Sequence, residues 1–598
     1  MLWVAKVLPN SQSAQFLDTS GRLIAGRLRN AYPVNSENSE RKPGGRLAKL
    51  LGGFRSALKG GAAEHAPRPT ADAAAPVTPA PAPKPTASEL INEGLRQRQA
   101  HGVAAAQPFF ETAAQLEPNS YVPFFMLGNV ASELGDLDTA VRHYEHARDL
   151  QPSDHVVRYN LGLNHLWRGY VDLAIEELRA ACKLNPAYLQ AQSSYLWALH
   201  NSDRISSEEM AAAARDWGVK FALQHPEVLL PGPGSRADLP EVLRVGFVSG
   251  DFRTHSVAHF FEPIASARDR GAFKYVFYST SRHQDTVTQR LRGYADEWRD
   301  VAGLSDDALI DQIRADRIDI LVDLAGHTEL NRLAVFARRA APLQVSYLGY
   351  PDSTGLPTMD YRITDAITDP EPAADAWHNE RLLRLPDSQW CFRPFGTLAA
   401  PGPLPAREAG FVTFGSFNNI SKVSDTVLHC WAQILVKLPA SRLHLTRIRS
   451  PRRAAEIVAL FGELGVAAER IDCVPYRSDI PHGRQFAGVD IALDPYPYNG
   501  VTTTCESLYF GLPVISLHGR HGVSRRGLSI LASLGLRELA ASAPEQYIEI
   551  AVALARDLAR LESLRASLRS RFEQSPLRDE KRFAANFEAL LRTAGRRA

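Results

Sequence analysis

Between residues 89 and 230 apolar positions recur at helical spacing in paired blocks, and the blocks repeat every 34 residues. Pro118, Pro152 and Pro186 fall one period apart, as do Gly94, Gly128 and Gly162, then Ala106, Ala140 and Ala174, and finally Ala113, Ala147 and Ala181. The small residues let paired helices approach, Phe110, Tyr144 and Leu178 fill the gap between them, and each proline ends a second helix because it has no N–H to donate. In the next register Leu196 and Asp203 replace the glycines, so regular repetition is expected to stop near residue 187, with capping helices continuing to about 225.

Beyond residue 241 the period changes. Short β-rich runs alternate with helical stretches: 243–249, 274–280, 319–326, 343–349 and 359–365. After the Pro- and Ala-rich stretch around 398–408 the pattern restarts with runs at 411–417, 441–446, 470–474, 489–494 and 512–517. This alternation predicts parallel sheets covered by helices, as two doubly wound α/β domains over 241–400 and 409–598 with a cleft between them. A helical repeat array over 89–230 precedes them, joined through the turn-rich segment 231–240. Upstream, residues 66–88 carry seven prolines among small residues and read as an extended linker, and residues 1–65 read as a flexible basic arm. Leu47, Leu50, Leu51, Phe54 and Leu58 have helical spacing within that arm, but Gly52 and Gly53 interrupt it, which favours a solvated segment.

Composition narrows the function classes. Hydrophobic residues make up 45% of the 598 residues and charged residues 22%, ordinary values for packed domains, and the formal net charge is +2. That balance gives no electrostatic pull toward nucleic acid. The five cysteines are scattered without metal-binding spacing, and no run of 18 apolar residues occurs, so a reduced, cytoplasmic protein without a membrane span is expected.

In open α/β sheets ligands sit beyond the carboxyl ends of the strands, so candidate chemistry is sought there. The richest junction is 490–511, where Asn499 and Gly500 allow a tight turn and Thr502, Thr503 and Thr504 open a helix. Hydroxyls and free N–H groups at a helix N-terminus form an anion cradle suited to a diphosphate, and Glu506, one turn along, can accept hydrogen bonds from a ribose. A second junction, 415–425, leads through Asn418 and Asn419 to Lys422 at the expected start of a helix, where a cation opposes the dipole unless an anion compensates it. In the first sheet His255 and His327 arrive at strand ends, where imidazoles can trade protons or hydrogen-bond a sugar. His255 and His259 have the i, i+4 spacing of a metal pair without a third ligand, and Asp-x-Asp occurs only at Asp136 and Asp138 inside a repeat. No metal site is therefore expected.

The repeat columns resemble the tetratricopeptide repeat. The blocks VGFVSGDFRTHSVAH, ILVDLAGHT with Asn331 and Arg332, APLQVSYLGYPDSTGLPTMDYRITD, FGSFNNISKVSD and DPYPYNGVTTTCESLYFGLPVISL resemble the O-linked N-acetylglucosamine transferase and SPINDLY family. Its members join such repeats to a two-domain GT-B glycosyltransferase. The resemblance implies a diphosphate-binding lysine at Lys422, a base-stacking histidine at His482, phosphate-binding threonines at Thr502 and Thr503, a ribose-binding carboxylate at Glu506 and an active-site histidine at His255. It also sets the backbone of Gly349 against the donor sugar, with His327, Arg332, Tyr350 and Asp352 as candidates for the sugar or acceptor pocket. Asp352 and Val501 depart from the pattern of many relatives and bear on donor identity.

The function so implied is metal-independent, inverting transfer of a sugar, foremost N-acetylglucosamine from UDP-GlcNAc, to Ser or Thr of a protein held by the repeats. GDP-fucose or another nucleotide sugar is the alternative donor, and a repeat scaffold with an inactive transferase half is the alternative function. No cofactor is expected beyond the nucleotide-sugar co-substrate.

Overall fold

The computed structural model describes residues 84–226, 240–396, 400–475 and 485–597. The arm 1–65 and most of the linkers lie outside these. The first helix, α1 (Ala87–His101), opens with a capping box between Thr86 and Glu89, so the last two residues of the proposed proline-rich linker already belong to it. It is followed by α2 (Gln107–Leu116), α3 (Tyr121–Leu134), α4 (Leu137–Leu150), α5 (His155–Arg168) and α6 (Val171–Leu184), which form three helical hairpins. The glycine column has the predicted cause. A Cβ at Gly94, Gly128 or Gly162 would stand 2.5, 2.6 or 2.8 Å from Phe110, Tyr144 or Leu178, so only glycine admits the large residue of the second helix. Helices α7 (Leu189–Leu199) and α8 (Ser207–Gln224) continue the stack without the repeat signature.

Two wholly parallel sheets follow. The first contains β1 (Leu243–Ser249), β2 (Phe273–Ser279), β3 (Glu297–Asp300), β4 (Ile320–Asp323), β5 (Leu343–Ser346), β6 (Tyr361–Asp365) and β7 (Arg381–Leu385), in the order β3-β2-β1-β4-β5-β6-β7. The second contains β8 (Thr413–Ser416), β9 (Arg442–Leu445), β10 (Ile471–Cys473), β11 (Ile491–Leu493), β12 (Val514–Leu517) and β13 (Ala540–Ala541), in the order β10-β9-β8-β11-β12-β13. Strand order reverses between β1 and β4 and again between β8 and β11. At such switch points the loops leaving adjacent strands splay apart and open a crevice. The crevice of the first sheet receives the loops carrying His255 and His327, and that of the second receives the loops carrying Lys422 and residues 494–502.

Three strands escape the sequence pattern. β3 and β7 are half-exposed edge strands of mixed polarity, and β13 has two residues.

The boundaries between regions are tighter than a linker suggests. Side chains of α5 to α8, among them Tyr159, Leu166, Leu196, Trp217 and Phe221, share one apolar core with Val276, Tyr278, Leu321, Phe336 and Leu356 of the first sheet's layer. A Cβ on Gly218 of α8 would lie 1.7 Å from the carbonyl oxygen of Gly355, so backbone meets backbone there. The repeats also reach the second sheet's side. Tyr170 donates to Glu456 at 2.6 Å and Ser450 donates to Asp138 at 2.7 Å. At the far end the last helix, Glu580–Arg597, returns to the first sheet's layer: Arg393 pairs with Glu580 at its start, and Asp269 N–H and the Tyr275 hydroxyl donate to Glu588 at 3.0 and 3.3 Å.

Candidate functional site

The second sheet's crevice is organised around Asp494, which directly follows β11 and is buried. Its carboxylate accepts from Gly500 N–H at 2.8 Å, from the Ser516 hydroxyl at 2.8 Å and from the Thr504 hydroxyl at 3.3 Å. Burial pushes its pKa up to about 6 against these hydrogen bonds and the nearby Lys422. The loop it holds turns through Asn499, whose side chain is wholly buried. The Asn499 amide donates to the carbonyls of Pro495 at 2.9 Å and Leu517 at 3.2 Å, while its oxygen accepts from Gly527 N–H at 3.3 Å. Asn499 thus shapes the loop, and its side chain has no spare group for a ligand. Gly500 is required sterically, since a Cβ there would lie 2.4 Å from the Thr503 hydroxyl.

Thr502–Tyr509 forms the helix expected after this turn, and no side chain caps it. The threonines are not spent on capping. Thr503 donates to Asn418 Oδ1 at 2.9 Å, Thr504 is tied to Asp494, and Thr502 is partly exposed at the mouth. The first N–H groups, with the positive end of the dipole, therefore face the crevice. Glu506 is buried on the same face as Thr502, one turn along.

Lys422 faces this helix from the neighbouring loop. It ends the 3₁₀ turn Ile420–Lys422, and the following helix, Asp425–Lys437, is capped by Ser424, so the lysine precedes the helix rather than starting it. Asn419 opens that turn and is exposed. The Lys422 ammonium stands 4.1 Å from the centre of the Tyr498 ring and forms no ion pair among the described residues. Burial first, and Arg526 second, push its pKa down to about 7. A repeat residue braces the turn: a Cβ on Gly169, which closes α5 with φ of 85°, would lie 2.8 Å from the Ile420 side chain.

The first sheet's crevice is built differently. His255 caps the helix Ser256–Ala267, its Nδ1 accepting from Val257 N–H at 3.3 Å and standing 3.4 Å from the Asp251 carboxylate. A backbone N–H can only donate, so the neutral ring carries its proton on Nε2. Burial, then Arg253, holds its pKa down to about 3, while burial pushes Asp251 up to about 7.

His327 is buried between α7, α8 and the sheet. Its Nε2–H donates to the Thr354 carbonyl at 2.9 Å and its Nδ1 accepts from the Ser193 hydroxyl at 3.1 Å, so both nitrogens are committed and burial lowers its pKa to about 4. Arg332 pairs with Asp306 at 2.8 Å and donates to the carbonyls of Val301 and Leu304, both at 3.0 Å. The ring of His327 is thus held by structural partners, in contrast to the expectation from its position at a strand end, and three of the Arg332 N–H groups are likewise taken up within the protein.

At Gly349 a Cβ would lie 2.0 Å from the carbonyl oxygen of Leu324, so close backbone packing requires glycine there. Tyr350 and Asp352 sit in a buried polar cluster assembled from three parts of the chain. The Tyr350 hydroxyl meets His200 Nε2 at 2.9 Å, and Asp352 lies 3.3 Å from His378, 3.3 Å from His521 and 3.7 Å from His200. Burial opposes the charge on Asp352, but His521, His200 and His378 outweigh it and hold its pKa well below the usual range. His521 is correspondingly raised, and burial keeps His200 neutral, down to about 3. The ligand atoms of His200, Asp352 and His521 lie within 4.8 Å of one another, the one such grouping among the described residues. Asp352 is thus a junction residue with committed oxygens. His482 lies outside the described residues.

Sequence reading missed Arg526, Tyr498 and Trp197. Trp197 of α7 packs on Tyr498 at 5.5 Å, bringing the repeat region to the crevice wall. A signal for Arg526 was present, since Arg525-Arg526 sets two cations at the positive end of a helix.

Two parallel sheets, each with a crevice at its switch point, packed behind helical repeats, define a GT-B glycosyltransferase fold. The chain belongs to glycosyl transferase family 41, whose model matches residues 230–391 and 404–587. Residues 123–154 match the tetratricopeptide repeat. Among similar proteins is a Petunia hybrida one named "Probable UDP-N-acetylglucosamine--peptide N-acetylglucosaminyltransferase SPINDLY", 38% identical over 69% of this chain and 45% of its own length. A Caenorhabditis elegans UDP-N-acetylglucosamine--peptide N-acetylglucosaminyltransferase is 25% identical over 69% of this chain and 46% of its own. The chain spans about half the length of the curated relatives it matches. The solved structure of a mutant Thermobaculum terrenum O-GlcNAc transferase superposes with a TM-score of 0.77 at 34% identity, covering 86% of this chain and 97% of that one. No described helix is long and apolar enough to cross a membrane.

Proposed function

We propose that this chain is a cytoplasmic enzyme that transfers N-acetylglucosamine from UDP-GlcNAc to Ser or Thr hydroxyls of a protein acceptor, with inversion and without a metal. The observation that carries the reading is the pairing of an unpaired lysine, Lys422, with an uncapped helix N-terminus at Thr502 across one switch point. Both groups suit a diphosphate, and both strengthen their hold as charge develops on it when the glycosidic bond breaks. Thr502 and Thr503 line that end, Glu506 takes the ribose, and the backbone at Gly349 faces the sugar. The names of the relatives support UDP-GlcNAc over GDP-fucose.

His255 acts by orientation. With Nδ1 accepting from the backbone and its pKa near 3, the ring presents Nε2–H to the incoming hydroxyl or the sugar and is a poor base at neutral pH. Asp251 stands 3.4 Å from the Nδ1 side of that ring and helps to orient it. The repeats bind the acceptor polypeptide.

The test is UDP release and intact-mass gain when the purified full chain meets host proteins with UDP-GlcNAc or GDP-fucose, in EDTA. Transfer from UDP-GlcNAc is expected. Transfer from GDP-fucose alone would overturn the donor, and activity that EDTA removes and manganese restores would overturn the metal-independent mechanism.

A further inference from the structure

The second crevice holds a cation that neither the fold nor the cradle accounts for. Arg526 begins the helix Arg526–Ser533 and is 6% exposed. Among the described residues it makes no ion pair and no hydrogen bond. Its guanidinium lies 5.1 Å from the centre of the Tyr498 ring and 5.9 Å from that of Trp390. Lys422 stands over the same Tyr498 ring at 4.1 Å. Two cations thus share one aromatic ring, and the buried Asp494 carboxylate acts on Lys422.

A buried, unpaired guanidinium costs several kcal/mol, and ring contacts return only part of that. Its neighbour shows that the cost is not inherent in the position. Arg525 donates to the carbonyls of Ile367 at 2.8 Å and Gly519 at 3.1 Å, so a structural role for one arginine at this helix start is already filled.

Arg526 is also held firmly against the cradle. The next residue, Gly527, donates to Asn499 at 3.3 Å, and a Cβ on it would lie 2.1 Å from the Ser516 hydroxyl and 2.6 Å from Asp494. The residues that shape the Asn499-Gly500 turn therefore also fix where Arg526 begins its helix.

We infer that Arg526 is a second diphosphate-binding cation, which works with Lys422 to neutralise the charge of the leaving nucleotide. This rests on the diphosphate reading above. Chemically it accounts for how a site without a divalent ion supplies two positive charges to a diphosphate: one from a compact ammonium, one from a planar guanidinium able to hold two oxygens at once.

The experiment measures UDP affinity and donor turnover of the full chain, of Arg526→Met and of Arg526→Gln, the latter keeping an amide donor in case the apolar variant does not fold. Loss of the charge is expected to weaken UDP binding about ten- to hundredfold and to lower kcat, with unchanged far-UV circular dichroism. Millimolar guanidinium should partly restore turnover in the variant, a rescue that a structural role does not give. If the folded variants bind UDP and turn over as the parent does while Lys422→Ala is impaired, the inference is wrong and the lysine assignment stands. If the parent itself does not bind UDP, the diphosphate reading falls and this inference with it.

Discussion

The two sheets share a topology and differ in how their crevices treat charge. In the first, opposite charges face one another: His327 uses both nitrogens, Arg332 pairs with Asp306 and Asp352 is ringed by imidazoles. In the second, Lys422 and Arg526 stand unpaired beside an uncapped helix. A crevice whose charges already face partners is balanced within itself, whereas one with surplus positive charge is half of an interaction. The proposed nucleotide site rests on that difference, and the proposed acceptor side on the first crevice's His255 and its neighbour Asp251.

The comparison breaks most severely if the repeats are separable. Because α5 to α8 share a core with the first sheet's layer and Gly169 braces the Lys422 turn, deleting residues 1–225 is expected to yield aggregated protein without cooperative melting. A monodisperse truncated chain with parental UDP affinity would show that repeats and sheets are independent.

Next in size is Lys422→Ala, expected to lower turnover about thirty- to thousandfold, or about 2 to 4 kcal/mol, with little change in Tm. Unchanged turnover would place the leaving group elsewhere.

The pH dependence of UDP binding sharpens the same contrast. With Lys422 pushed down to about 7 in the empty site, and the charged form favoured by a diphosphate, binding takes up a proton above that pH. UDP affinity measured by calorimetry should fall by about tenfold per unit as pH rises beyond 7, until the raised pKa of the bound state is reached. A flat profile from pH 7 to 9 would show that the lysine is already charged when free.

The smallest effect on rate is expected at the first sheet. His327→Leu should lower stability by about 1 to 3 kcal/mol, since Ser193 and the Thr354 carbonyl lose their partners, yet leave kcat within about twofold. A large kcat loss at unchanged Tm would make His327 part of the reacting site.

How much of this was legible in the sequence follows from the range of the forces involved. The repeat period was readable because each glycine answers to a large residue 16 positions later within one hairpin, as Gly94 does to Phe110. The central strands were readable because both their faces are buried, whereas β3 and β7 at the edges carry mixed polarity. The turn and the uncapped helix start were legible because Asn499, Gly500 and the threonines follow one another along the chain. Their division of labour was not, since it depends on Asp494 meeting Ser516 and on Asn499 meeting Gly527 across the fold. The roles of His327 and Asp352 were hidden for the same reason. Their partners Ser193, His200 and His521 come from other parts of the chain, and a histidine at a strand end looks the same whether it faces substrate or a neighbouring helix.

The most direct test of the central claim is the affinity of the full chain for UDP relative to UMP, in EDTA, for the parent and for Lys422→Ala. A crevice built to receive a diphosphate should prefer UDP by well over tenfold and lose most of that preference with the lysine, at about 1.4 kcal/mol for each tenfold step. Equal affinities for UDP and UMP in the parent, or a preference that survives Lys422→Ala intact, would contradict the account.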